Sequence, residues 1–301
     1  MPSNDEGTDP RPKTLFHYTD ARGLLGILTT HTLWATEFRF LNDEQEATYA
    51  RELFVSGLRN LPNPALDPGH VASQWPEDFG RTFDTYRGLV EEDLGSTKFP
   101  VFVTCFCEAG DLLSQWRAYG TDHGYAIEFD TDALERAVVA ERDRNWIEHA
   151  RTERVQQGWM VPLAQVRYGP QAATDVVASA MRGVSADSNL GHVGTHASWM
   201  ASNLTAMLAR IKHPGFAEER EWRAILGFAP WDTADEVKFR ETGIAIAPYR
   251  VIPFENGLVV SVTVGPGRHA PVRRGGVTLL LQSIFGPSPP PVLTSEVPLR
   301  S

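Results

Sequence analysis

The stretch FPVFVTCFCE, residues 99–108, limits the fold more than any other part of the chain. It is apolar at nearly every position, strand-length and rich in aromatic and β-branched residues, so it reads as a buried strand. A strand apolar on both faces needs cover on both faces. Further strands are expected at Leu15–Thr19, Thr32–Thr36, GYAIEFD, the segment around Leu163–Tyr168, EREWRAILGF, GIAIAP, VVSVTVGP and the closing PPVLTSEVPLR. Helices are expected after the Thr19-Asp20 capping pair, where Leu24, Leu25, Ile27 and Leu28 share a face. Others follow Asn42-Asp43, which brings Glu46 onto a first turn, and run near Glu77–Leu94, over DLLSQWRAYG and from about Thr131 to Gln157. Met200, Leu204, Met207 and Ile211 space out one face of a helix from Trp199 to Lys212, stopped by Pro214. Strands and helices do not alternate in a βαβ rhythm, so the fold class is α+β.

Length allows one large domain: a disordered leader over residues 1–12, then a single α+β domain over 13–301. No apolar run approaches the ~18 residues needed to span a bilayer, and no secretory signal is visible, so a cytoplasmic protein without a membrane is expected. Cys105 and Cys107 alternate along a strand, too far apart along it for a comfortable disulfide, and read as packing thiols. A net charge of −10 argues against a general electrostatic grip on nucleic acid. Arg268, Arg273 and Arg274, in GRHAPVRRGG, leave room for a local basic groove or a solvated loop. Nothing in the sequence fixes an oligomeric state.

Three groups of residues can carry chemistry. His17 and Thr19 alternate along the first strand and turn to one side, able to hold a ribose or a carboxamide, or else to satisfy the core. In EREWR, a strand beginning near Glu219 would turn Glu219, Glu221 and Arg223 the same way at the mouth of the sheet, either as working carboxylates or as surface ion pairs. Trp116 and Tyr119, three apart on a short helix, can wall a pocket for a flat ring or fill core. His192 and His196 have i, i+4 spacing but lack the glutamate of a zinc hydrolase, so no metal is expected. GxGxxG, phosphate-loop lysine and GxSxG motifs are absent from the sequence.

FHYT, LLGILTTHTLW, FLNDEQE, TCFCEAGDLLSQWRAYGTDHGYAIEFD, VRYG, KHPGFAEEREWRAI, VKFRE, VTVGP and SEVPLR resemble a bacterial domain-of-unknown-function family, twenty-nine seventy-one. That family usually has serine at the position of Cys107. The HxT strand, the GILTTHTL turn, the Leu41-Asn42-Asp43 segment and the late acidic strand also resemble ADP-ribosyltransferases, including the DNA-modifying toxin branch and the RNA 2′-phosphotransferases. Where that superfamily has an STS strand, this chain has Thr104-Cys105-Phe106-Cys107.

The resemblance implies a split mixed or antiparallel sheet with helical insertions and an NAD-consuming transferase. Its acceptor would be nucleic acid, or alternatively protein, in a toxin or phage-defence setting. It implies NAD held by His17 and Thr19, with Asn42 and Asp43 bordering the nicotinamide, but assigns no nicotinamide-stacking tyrosine; Tyr18, next to that pair, and the ring-walling Trp116 and Tyr119 complete the expected NAD-binding residues. Glu221 would be catalytic, with Glu219 orienting the acceptor. Two alternatives stay open: a nucleotide-sensing module without turnover, and an RNA 2′-phosphotransferase-like enzyme.

Overall fold

The structure is a computed structural model that describes residues 11–41, 44–60, 88–92, 94, 100–119, 123–149, 162–177, 204–227, 236–243 and 245–298. It is α+β, built on one large mixed sheet. The FPVFVTCFCE segment supplies β3 (Val101–Cys107), and it is the hub. One edge of β3 pairs along its full length with β8 (Glu221–Gly227). Its other edge is shared: Phe102 and Val103 pair with β2 (Thr32–Glu37), whereas Cys107 pairs with Phe16 of β1 (Thr14–Thr19). Here β1 and β2 leave β3 in different directions, and the sheet splits. From β1 the sheet continues through β4 (Tyr125–Asp130) to β11 (Val259–Val264) and the parallel edge strand β12 (Val292–Thr294). From β2 it continues through β10 (Ile246–Pro253) to β9 (Lys238–Glu241), while β5 (Leu163–Gln165) adds to the far side of β8.

Each face is covered, as the apolar β3 requires. On one face α1 (Ala21–Thr30) buries Leu24 and Leu28 against Leu15, Phe106 and Ile127. The Asp20 carboxylate accepts from the Gly23 N–H at 2.7 Å and caps α1 as the sequence suggested. Gly23 is needed there because a Cβ would sit 1.9 Å from the Thr19 hydroxyl. On the other face α2 (Glu44–Asn60) buries Ala50, Phe54 and Leu58 against Val103, Leu204 and Ile225. α3 (Leu113–Tyr119) packs Trp116 on Tyr18 and Cys107, and α4 (Thr131–His149) follows β4 directly.

Three local expectations change. Among the described residues the helix toward Lys212 covers only 204–208. A turn then leads into β7 (Ile211–Lys212), which pairs in parallel with β6 (Arg167–Tyr168). Pairing with Arg167 and Tyr168 takes the backbone groups that a longer helix would have used internally. GRHAPVRRGG is the start of α5 (Ala270–Phe285), hidden in the sequence by the Gly275-Gly276 pair, a poor helix signal. The third change concerns Arg11, within the expected leader, which donates to Glu135 at 2.7 Å and to the Thr131 carbonyl at 3.3 Å. No helix among the described residues is long and apolar enough to cross a membrane.

Candidate functional site

Charged side chains gather where β8 begins. The residues just before it, Pro214–Glu219, form a 3-10 turn, and Arg220 takes a left-handed conformation with φ 40°. β8 therefore starts at Glu221, not near Glu219. The two carboxylates still converge, because the turn folds Glu219 back onto Lys212. Lys212 Nζ donates to Glu219 Oε2 at 2.8 Å and to Glu221 Oε2 at 2.7 Å. Arg223, two residues along β8 and so on the same face, donates through Nε to Glu221 Oε1 at 2.6 Å. Its Nη2 donates to Glu46 on α2, and its Nη1 donates to the Ala209 carbonyl at 2.8 Å.

The cluster is interior. Glu221 is 4% exposed and Arg223 1%. Burial alone would raise the Glu221 carboxyl, but Arg223 and Lys212 overcome it and bring it from 4.5 down to about 2. Burial alone would lower the Lys212 ammonium, yet Glu221 and Glu46 hold it above its ordinary value. Glu219, nearer the rim, is raised by burial against the pull of Lys212. Burial and the Glu221 carboxylate keep the Cys105 thiol well above its ordinary range, so it stays protonated beside that carboxylate. Burial first, and Glu219 and Glu221 after it, raise Cys107 to about 11, and its thiol donates to the Glu219 carbonyl at 2.8 Å. Both cysteines are free thiols. The Tyr168 hydroxyl accepts from the Glu221 N–H at 3.0 Å. Tyr119 is 39% exposed, and burial first, with the Glu221 and Glu219 carboxylates adding to it, raises its hydroxyl above the ordinary value.

The other expected residues are elsewhere. Phe16 pairs with Cys107, and Cys107 with Glu221, so these three share a face. Strand alternation turns His17 and Thr19 to the opposite face, where the His17 ring lies 5.7 Å from Phe106. His17 Nδ1 bonds the Cys105 carbonyl at 2.9 Å, a group that the split leaves without a β1 ladder partner. Burial lowers His17 against that bond, which favours the neutral ring. Tyr18 faces the Glu221 side, but its hydroxyl donates to the Ala109 carbonyl at 2.7 Å and accepts from the Leu112 N–H at 3.0 Å. Trp116 is 2% exposed, meets Tyr18 edge-on with centroids 4.7 Å apart, and donates through Nε1 to Asp111 at 2.7 Å. Tyr18 and Trp116 thus fill core instead of walling a pocket. Asn42, Asp43, His192 and His196 lie outside the described residues.

Two cluster members, Glu46 and Lys212, were not among the expected site residues. Glu46 carried a readable signal: it extends the buried α2 series Ala50, Phe54, Leu58 by one step of four, an acid on an apolar stripe.

The matched segment contains most of this cluster. Residues 115–224 match the family model described as "Protein of unknown function (DUF2971)". The matched segment runs from α3 into β8 and carries Trp116, Tyr119, Tyr168, Lys212, Glu219, Glu221 and Arg223. No curated protein matches the chain. Among solved structures it is similar to DarT of Thermus sp. 2.9 in complex with ADP-ribosylated ssDNA. The identity is 14%, coverage is 96% of this chain and 97% of that one, and the TM-score is 0.34.

Proposed function

We propose that this chain is an NAD-consuming, ADP-ribosyltransferase-like enzyme with Glu221 as its catalytic carboxylate and nucleic acid as its acceptor. The observation that carries the proposal is that Glu221 is buried and kept ionised by Arg223 and Lys212. Cleaving the nicotinamide bond leaves positive charge on the ribose. A fixed anion in a low-dielectric site favours that state over bound NAD. Lys212 holds a Glu221 oxygen in the described arrangement, so a ribose hydroxyl would take the Lys212 place on Oε2 while Arg223 keeps Oε1. Glu219, nearer solvent, would orient the acceptor, and Tyr119 would border the nicotinamide. Asn42 and Asp43, just ahead of α2 and Glu46, belong to the same reading as nicotinamide-loop residues. His17 supports it from behind, where its ring bonds the Cys105 carbonyl at the sheet split. A toxin or phage-defence setting in the cytoplasm is the context the resemblance suggests.

One observation favours a second reading, a nucleotide-sensing module without turnover: both Glu221 oxygens already have cationic partners. Release of free nicotinamide on incubation with NAD and single-stranded DNA separates the two. The enzyme releases it in proportion to time, and the module does not.

A further inference from the structure

Trp34 meets solvent from the middle of β2. It is 45% exposed, whereas its neighbours Leu33 and Ala35 turn to the opposite face and are buried. Its ring stacks on Tyr249 of β10, with centroids 4.5 Å apart and planes 30° from parallel. Two cations join the rings from β9. Lys238 pairs with Tyr249, so the two share a face, and Lys238 is exposed. Arg240, two residues along, donates through Nη2 to the Thr36 hydroxyl at 2.9 Å and lies over the Trp34 ring, 5.7 Å from its centroid. Among the described residues the Arg240 Nε has no hydrogen-bond partner. This patch is on the face of the sheet that carries the ion cluster. Thr36 pairs with Val103, Arg223 with Cys105 and Glu221 with Cys107, and alternation along β3 sets all of them to one side. β2 is still beside β3 at Trp34, where the Thr104 hydroxyl donates to the Trp34 carbonyl at 3.1 Å. β2 and β8 flank β3, so about 10 Å, two strand spacings, separates their backbones.

We propose that Trp34, Tyr249, Lys238 and Arg240 form a stacking platform for single-stranded nucleic acid. An unpaired base adds its flat face to the exposed ring surface, and the cations meet the backbone phosphates beside it. At a net charge of −10 no general field holds a strand, so ring contact and local cations must hold it. A cross-strand aromatic pair that served the sheet alone would need no cations beside it. The inference deepens the transferase reading by naming the surface that holds its nucleic-acid acceptor.

The test is binding, not turnover. Fluorescein-labelled single-stranded DNA and RNA oligonucleotides of one sequence are titrated with the parent, Trp34→Leu and Lys238→Gln proteins, by anisotropy across a salt series. Trp34→Leu keeps apolar bulk and removes the ring, so affinity should fall by roughly tenfold or more while the log–log salt slope stays level. Lys238→Gln should weaken binding and shrink that slope by about 0.7, for one phosphate no longer neutralised. Ring-dependent binding of either polymer supports the platform, and the tighter polymer names its source. Unchanged binding by a folded Trp34→Leu protein overturns the proposal, as does a parent that binds neither oligonucleotide. A parent that sediments as a dimer, and as a monomer after Trp34→Leu, overturns it too, because the face would then meet a second copy of the chain. If Trp34→Leu does not fold, Lys238→Gln carries the test, and unchanged binding by it overturns the proposal. Ring-dependent binding in a protein that releases no nicotinamide from NAD would keep the platform and sink the transferase reading. Nicotinamide release without strand binding would do the reverse, so the two fail separately.

Discussion

Lys212 Nζ sits 2.7 Å from Glu221 Oε2 and 2.8 Å from Glu219 Oε2, so one ammonium ties the 3-10 turn to the first residue of β8. The ion pair is interior, with Lys212 and Glu221 side chains 9% and 5% exposed. An interior pair behaves unlike a surface one, since removing one partner strands the other without water.

Lys212→Met should therefore destabilise the protein by about 3–5 kcal/mol, the range for breaking a buried pair. Adding Glu219→Gln to Lys212→Met should recover part of that loss, because one of the stranded carboxylates is gone. Urea unfolding of the two single variants and the double variant measures the coupling. Strict additivity would mean that Glu219 and Lys212 do not interact energetically.

Acid should act on the same cluster in a defined direction. Glu221 moves from 4.5 to about 2 on folding, so across that interval the unfolded state binds more protons. Its stabilisation is complete above the unfolded value and is lost as the pH falls toward the folded one. Glu219 is raised and contributes the opposite slope just above its ordinary value, where rising pH costs stability. The parent Tm should fall steeply between pH 4.5 and about 2, and the Glu221→Gln variant should fall less steeply. Identical acid profiles would remove Glu221 from the titrating set.

Trp116→Ala should cost about 3–5 kcal/mol, as a buried aromatic truncation does. Gly265→Ala tests the same packing from the other side, since its Cβ would lie 2.8 Å from the Trp116 ring and from the Gly124 carbonyl. Overpacking there should cost about 1–3 kcal/mol. A Trp116→Ala protein that melts like the parent would contradict the core placement.

His17→Phe should cost about 1–3 kcal/mol by leaving the Cys105 carbonyl unpaired in the interior. The folded ring favours its neutral form, so its stabilisation holds above the ordinary value of 6.5 and is lost as the pH falls through the lowered one. Proton NMR of the ring should show a titration midpoint below 6.5. A midpoint above that value would contradict the buried placement.

Much of this was readable in the sequence, and the failures have physical causes. The β3 run, the capped α1 and the Glu221–Arg223 alternation follow from period-two and capping signals that act within a few residues. The direction of His17 relative to Glu221 does not, because it depends on the register of β1 on β3 and of β3 on β8. A shift by one residue in either would reverse it. Lys212 was hidden because Leu204, Met207 and Ile211 fit a helical period, whereas β6 captured Ile211 and Lys212 as a strand. The convergence of Glu219 rests on Arg220 at φ 40°, a conformation its sequence does not announce.

The central claim is that Glu221 stabilises positive charge developing on the NAD ribose. The direct measurement is nicotinamide release from NAD by the parent and Glu221→Gln proteins, well below both melting temperatures, with NAD affinity measured in parallel. Turnover should fall by about 10²–10³-fold, as for loss of one preorganised electrostatic group, while NAD binds within a few-fold of the parent. Equal nicotinamide release by the two proteins would contradict the account.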